Sequence, residues 1–207
     1  MPKSILIQPI QNSPLPSETL DEIDQHRGEF YQFLASLFFK PPTQTQLDFL
    51  ASLNITDDSL FGTALKKISD QARLVSAPLV KQEFDALFTG LTRGEVMPYG
   101  SYYLTGFLYE KPVADIRTDM AKLGLKRAET CQEPEDHFAV LCAIMAHLVS
   151  ASLDQQKIFF EAHIQPWVNQ FLDDLETAPS AQFYKNIAEL TKIFIVLEIK
   201  SFDLVTA

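Results

Sequence analysis

The sequence predicts an all-α protein, a single helical bundle of about eight or more helices. Three observations carry that expectation. Apolar residues recur at helical spacing over most of the chain. Capping boxes and prolines punctuate the stretches between. Only 7 glycines occur in 207 residues, fewer than the tight turns of an all-β chain of this size need.

The elements follow in order. Residues 1–16 carry Pro2, Pro9, Pro14 and Pro16 and read as a flexible N-terminal arm, ahead of one all-helical domain over 17–207. Thr19 with Glu22 forms a capping box, and a helix should run to about Phe39, with Leu20, Ile23, Phe30, Phe33, Leu34, Leu37 and Phe38 in register. Pro41-Pro42 stops it. Thr43 with Gln46 opens a short helix through Leu53. A third helix covers 58–75, and a fourth begins after Pro78 and ends near Gly90, a glycine C-cap. Gly90, Gly94, Pro98, Gly100 and Gly106 then break the pattern among Tyr99, Tyr102, Tyr103, Phe107 and Tyr109. This predicts a long loop over about 89–109 between N- and C-terminal helix groups; long structured loops are often functional. A helix from Lys111 to Leu123 and an acidic turn over 129–137 follow. The helix over 135–152 has Leu141, Ile144, Met145 and Leu148 on one face and Ala139, Ala143, Ala146 and Ser150 on another. Apolar or small nearly all round, it belongs at the centre of the bundle. Helices over 154–164, 166–177 and 181–201 complete the chain.

Several function classes are disfavoured. The formal net charge is −10, with no basic stripe, so no nucleic acid is expected as a partner. Surplus acid discourages anionic membranes, and no run of about 18 apolar residues exists for stable membrane insertion. Met1 to Pro16 lacks the apolar core of a signal peptide. Cys131 and Cys142 make no disulfide framework. Together these features place the protein in the cytoplasm.

No metal or cofactor is expected. His137 and Cys142 lie five residues apart, about 140° around a helix, His147 faces elsewhere, and His26 and His163 stand alone. A nucleophile is also missing. Acids flank Cys131, Cys142 sits mid-helix, and Ser101 lacks a strand and elbow. One alternative stays open: a helical enzyme or nucleotide-binding protein using Asp136 and His137 as an acid–base pair. Adjacent residues seldom form such a dyad, so a non-enzyme is favoured.

Glu133-Pro134-Glu135-Asp136-His137 reads better as a binding feature. Pro134 suits a helix start, and Glu133, Glu135 and Asp136 would then lie in the first turn, where the dipole favours acids. From Glu129 to His137 there are four acids and no Lys or Arg. An unneutralised carboxylate cluster suits a guanidinium, and so a basic peptide. The aromatic segment 99–109 could supply apolar contact beside it.

Four motifs carry a resemblance. Phe84-Asp85-Ala86-Leu87-Phe88-Thr89-Gly90, Pro98-Tyr99-Gly100-Ser101, Glu133-Pro134-Glu135-Asp136-His137 and Phe160-x-x-His163-x-x-Pro166-Trp167-x-x-x-Phe171 stand in that order. They resemble the TorD/DmsD/NarJ family of molybdoenzyme maturation chaperones, closest to its TorD/DmsD branch. The resemblance implies an all-helical, cytoplasmic chaperone specific to one molybdenum- or tungsten-cofactor oxidoreductase. Its partners would be the catalytic subunit and its twin-arginine leader peptide, held until the cofactor is inserted and Tat export can proceed. It implies a peptide-binding surface of Tyr99, Tyr102, Pro134, Asp136 and His137, to which the acidic turn adds Glu133. Asp136 would be an arginine acceptor or a polar anchor of the turn. Guanine nucleotide and a domain-swapped homodimer, both linked to family members, stay open. Some relatives place Trp in the loop where this chain has Tyr102 and Tyr103, which leaves the client open. The Tyr-Tyr-Leu-Thr-Gly run, followed by Lys-Pro and later Leu-Gly-Leu, resembles members associated with formate dehydrogenases, with a trimethylamine N-oxide or dimethyl sulfoxide reductase as the alternative.

Overall fold

Helix caps set the boundaries that hydrophobic spacing leaves open. In the computed structural model, which describes residues 6–10, 21–90 and 93–205, ten α-helices and one two-stranded sheet are present. The all-α class is as the sequence predicts. Two compact units divide the chain: Met1–Phe39 with Pro98–Val168, and Lys40–Met97 with Asn169–Ala207. The division predicted at the 89–109 loop is therefore drawn differently. Each unit takes one segment from the N-terminal half and one from the C-terminal half.

The first unit holds β1 (Ile7–Pro9), α1 (Glu22–Phe39), α5 (Gly100–Thr105), α6 (Lys111–Lys122), β2 (Leu125–Arg127), α7 (Phe138–Leu148) and α8 (Leu153–His163). α7 is its centre: ten of its eleven residues are buried, His147 being the exception. α1 lies along it closely enough that a Cβ on Gly28 would sit 3.0 Å from Val149 Cγ2. Phe38 meets Phe138 edge to face at 5.0 Å. Asp21 caps α1, its carboxylate accepting the Asp24 N–H. Thr19, of the predicted capping box, lies outside the described residues.

The free-arm expectation for residues 1–16 does not hold over Leu6–Ile10. There β1 pairs antiparallel with β2, Ile7 opposite Arg127 and Pro9 opposite Leu125, with Leu6 and Ile7 buried. The rest of that expectation, 1–5 and 11–16, lies outside the described residues. Three-residue strands carry too little alternation to register as a pattern.

The second unit holds α2 (Gln44–Ser52), α3 (Leu60–Ala72), α4 (Ala77–Phe84) with a π-turn over Asp85–Thr89, and α10 (Phe183–Val205). The predicted capping box of α2 is present, Thr43 accepting the Gln46 N–H and Gln46 accepting the Thr43 N–H. The fourth predicted helix ends at Gly90, which has φ +55°. The Glu83 carboxylate caps α10 by accepting the N–H groups of Gln182, Phe183 and Tyr184 at 2.7–3.0 Å. Phe84, Phe88 and Tyr184 pack as a ring cluster with centroids 5.0–5.8 Å apart. α9 (Gln165–Thr177) crosses the boundary between Val168 and Asn169.

Candidate functional site

The predicted loop and the acidic turn meet within the first unit. Phe138 N–H donates to the Pro98 carbonyl (2.8 Å) and Gly100 N–H to the Asp136 carbonyl (3.0 Å), a bridge that sets Tyr99 opposite His137. The loop is not free of secondary structure, because α5 begins at this bridge. A six-residue helix among glycines and tyrosines gives no helical period to read. The helix after the turn starts at Phe138, so Glu133, Glu135 and Asp136 stand before it and not in its first turn. Its cap is His137, whose Nδ1 accepts the Ala139 N–H at 3.1 Å.

Three of the four acids, Glu133, Glu135 and Asp136, meet a partner. Asp136 is wholly buried, and its Oδ2 accepts the Ser101 N–H at 2.8 Å, capping α5. Asp136 Oδ1 and Ser101 Oγ are buried at the same junction and make no hydrogen bond. Glu135, also buried, takes Arg117 in a two-pronged pair at 2.8 and 3.0 Å, with Arg127 at 3.5 Å. Arg117 and, more distantly, Arg127 hold its carboxyl below the ordinary carboxylate range against the opposing cost of burial. Glu133 accepts the Tyr99 hydroxyl at 2.8 Å. Burial first, and then the Glu133 charge, pushes the Tyr99 phenol well up, so it remains a donor. The expectation of an unneutralised patch is thus corrected at Glu135, whose cations come from α6 and β2, outside the 129–137 window in which none was found. Glu133 and Asp136 meet neutral donors.

His137 has no room for acid–base work. Burial lowers its pKa to about 3, and its ring stands edge-on to Tyr99 at 5.0 Å with Nδ1 held by backbone. This removes the Asp136–His137 enzyme alternative. The Cys131 thiol is pushed up, mainly by burial, and Cys142 is a buried core residue. Among the described residues no group of three or more His, Cys, Asp or Glu could hold a metal, and no helix is long and apolar enough to cross a membrane.

Of the residues proposed for peptide contact, Tyr99, Tyr102, Glu133 and Pro134 are half-buried, while Asp136 and His137 are enclosed. A cleft of about 400 Å³ lies beside them in the same unit, between α5, α6 and the end of α8. Leu104, Ile116 and Trp167 give it apolar walls, and Asp115 and Asp119 line it from α6. His163, expected to stand alone, meets Asp119 through Nε2 at 2.9 Å. Trp167 Nε1–H donates to the His163 carbonyl at 2.7 Å, and the Tyr103 ring stacks on the indole at 5.6 Å. A Cβ on Gly100 would lie 2.9 Å from Trp167 Nε1, so that glycine lets α5 reach the indole. Asp115 and Asp119 were not singled out from the sequence. The spacing of four between the two aspartates, on one helix face, was the available signal.

Comparison with known proteins shows the family. The family model described as nitrate reductase delta subunit matches residues 54–173. The chain belongs to that family. Within the nitrate reductase delta subunit family, it resembles proteins named chaperone protein TorD. That of Vibrio atlanticus is 26% identical, covering 84% of this chain and 94% of the relative. Those of Vibrio cholerae and Shewanella piezotolerans are each 26% identical, covering 86% of this chain and 92% of the relative. A solved structure from Archaeoglobus fulgidus, described as a candidate redox enzyme maturation protein, shares the fold with TM-score 0.59 at 19% identity. It covers 86% of this chain and 97% of its own.

Proposed function

We propose that this protein is a cytoplasmic chaperone dedicated to one molybdenum- or tungsten-cofactor oxidoreductase. It binds the twin-arginine signal peptide, the apo-enzyme or both, and assists cofactor insertion before Tat export. The client is a formate dehydrogenase or a trimethylamine N-oxide or dimethyl sulfoxide reductase. The observation that carries this reading is the similarity to TorD chaperones along 84–86% of the chain. The site's chemistry supports it. The turn offers aromatic and acidic side chains, and its one histidine is locked in a cap. Half-buried Tyr99, Tyr102, Glu133 and Pro134 form the contact surface, with Asp136 and His137 as the frame beneath. The reading needs neither guanine nucleotide nor exchange of helices between protomers.

Calorimetric titration with the leader peptides of molybdoenzymes from the same genome tests it. One leader should bind at low salt and weaken as salt rises. Tyr102→Ala and Glu133→Gln should each cost on the order of 1–3 kcal/mol. Absence of heat with every leader would refute leader binding. Failure of the apo-enzyme to co-purify as well would refute the chaperone reading.

A further inference from the structure

Two depressions on the first unit share residues. The cleft beside α5 and a smaller one of about 190 Å³ beside α8 are both lined by Asp119 and Lys122. They adjoin along α6, with the Asp119–Lys122 pair on their common border, and together outline one groove. Leu104, 43% exposed, stands at one end, and Ile158, 67% exposed, at the other. Asp115 and Asp119 lie between. An elongated groove with apolar ends and an acidic middle is the complement of a chain segment, not of a compact small molecule.

The charge of the middle is available. Asp115, half exposed, pairs with Lys111 on its own helix at 2.5 Å, and Asp119 pairs with Lys122 at 2.7 Å and meets His163 at 2.9 Å. Exposed pairs at this spacing are weak and exchange readily for an incoming cation. The Lys122 bond, with His163 behind it, holds the Asp119 carboxyl below the ordinary range, so it is negative at neutral pH. The chain as a whole carries −10. Lys122 on the rim would repel a segment of high positive charge, which favours one basic side chain over a basic run.

We infer that the α6 groove docks a segment of the partner polypeptide carrying one basic side chain between two apolar ones. Aspartates 115 and 119 take the cation, and Leu104 and Ile158 anchor the flanks. The inference rests on the partner being a protein, as proposed above, and adds a second contact region to the Tyr99–Glu133 surface.

Trp167 is the chain's only tryptophan and lines the groove, so its emission reports occupancy. The probe is a synthetic peptide with a central Arg flanked by Leu, titrated into the full-length protein. It should shift the emission saturably. Replacing its Arg by Glu should weaken binding roughly tenfold or more, and so should Asp115→Asn or Ile158→Glu in the protein. Both protein positions are exposed, so these variants fold. No saturable shift, or equal binding by the Glu peptide, overturns the inference. So does unchanged affinity in both protein variants. Sedimentation of the wild type and Ile158→Glu covers the remaining occupant: loss of a dimer in the variant would assign the groove to a second copy. The leader titration is read separately. If it succeeds while the groove variants bind leader and apo-enzyme like wild type, the groove assignment fails and the chaperone reading stands.

Discussion

The turn at Glu133–His137 and the groove along α6 hold similar chemistry to opposite effect. Both combine acids with a histidine and aromatic rings. In the turn, Asp136 is wholly enclosed, Glu135 nearly so, and both spend their charge on Ser101, Arg117 and Arg127. In the groove, Asp115 and Asp119 sit at 48% and 35% exposure and pair with flexible lysines of their own helix. Buried polar groups with fixed partners specify a shape. Exposed pairs leave charge that a partner can use. The conspicuous motif is thus a frame held by fixed partners, and the less conspicuous helix α6 carries the more exposed acids.

Acid should separate the two regions most strongly. His137 is kept neutral in the folded state, with a pKa of about 3 against an ordinary 6.5. The unfolded chain therefore binds more protons below pH 6.5, and stability falls as pH drops from 6.5 toward 3. At pH 4 this amounts to something on the order of 3 kcal/mol relative to pH 7. His137→Asn keeps a capping oxygen and removes the titration. Urea midpoints measured from pH 7 to 4 should fall less steeply for the variant, and parallel slopes would show that the buried imidazole is not responsible. Next in size is Asp136→Ala. It strips the Ser101 N–H of its acceptor in a dry junction, at about 1–3 kcal/mol in urea unfolding. Glu133→Gln, at the half-buried rim of the same turn, should cost less than about 1 kcal/mol.

How far the sequence foretold this follows from period and partner. Ten-residue and longer helices announced themselves by spacing, and the Thr43–Gln46 capping box was found as read. Where the signal is local, as at Gly90, it held. The turn was seen as a motif, but its meaning depends on residues far along the chain. Arg117 lies 18 positions before Glu135, and Ser101 lies 35 before Asp136. No local window joins them. For the same reason Glu135 looked unneutralised, and His163 looked alone while Asp119 waited 44 residues upstream. α5 and the two short strands escaped because they are shorter than the window over which a period can be recognised.

Gly100→Ala probes the boundary between the two regions. The added methyl would press on Trp167 Nε1 at 2.9 Å, in an indole held by the His163 carbonyl and stacked by Tyr103. Overpacking at such a contact costs about 1–3 kcal/mol. If α5 and the groove wall move as one body, thermal unfolding should shift downward and tryptophan emission should change together. A stability loss without an emission change would place the strain in the α5 cap instead, against Asp136.

The smallest stability effect should accompany the clearest separation. Ile158→Ser removes an exposed side chain, so the unfolding free energy should move by less than about 0.5 kcal/mol. If the groove is the open surface, partner binding should nevertheless weaken measurably. Asp136→Ala should show the reverse order, with stability falling first and affinity falling only as the frame loosens. A plot of affinity loss against stability loss for these two variants tests the contrast directly. The turn variant should lie along the stability axis and the groove variant along the affinity axis. Points falling on one common line would mean that both regions act only through the stability of the fold.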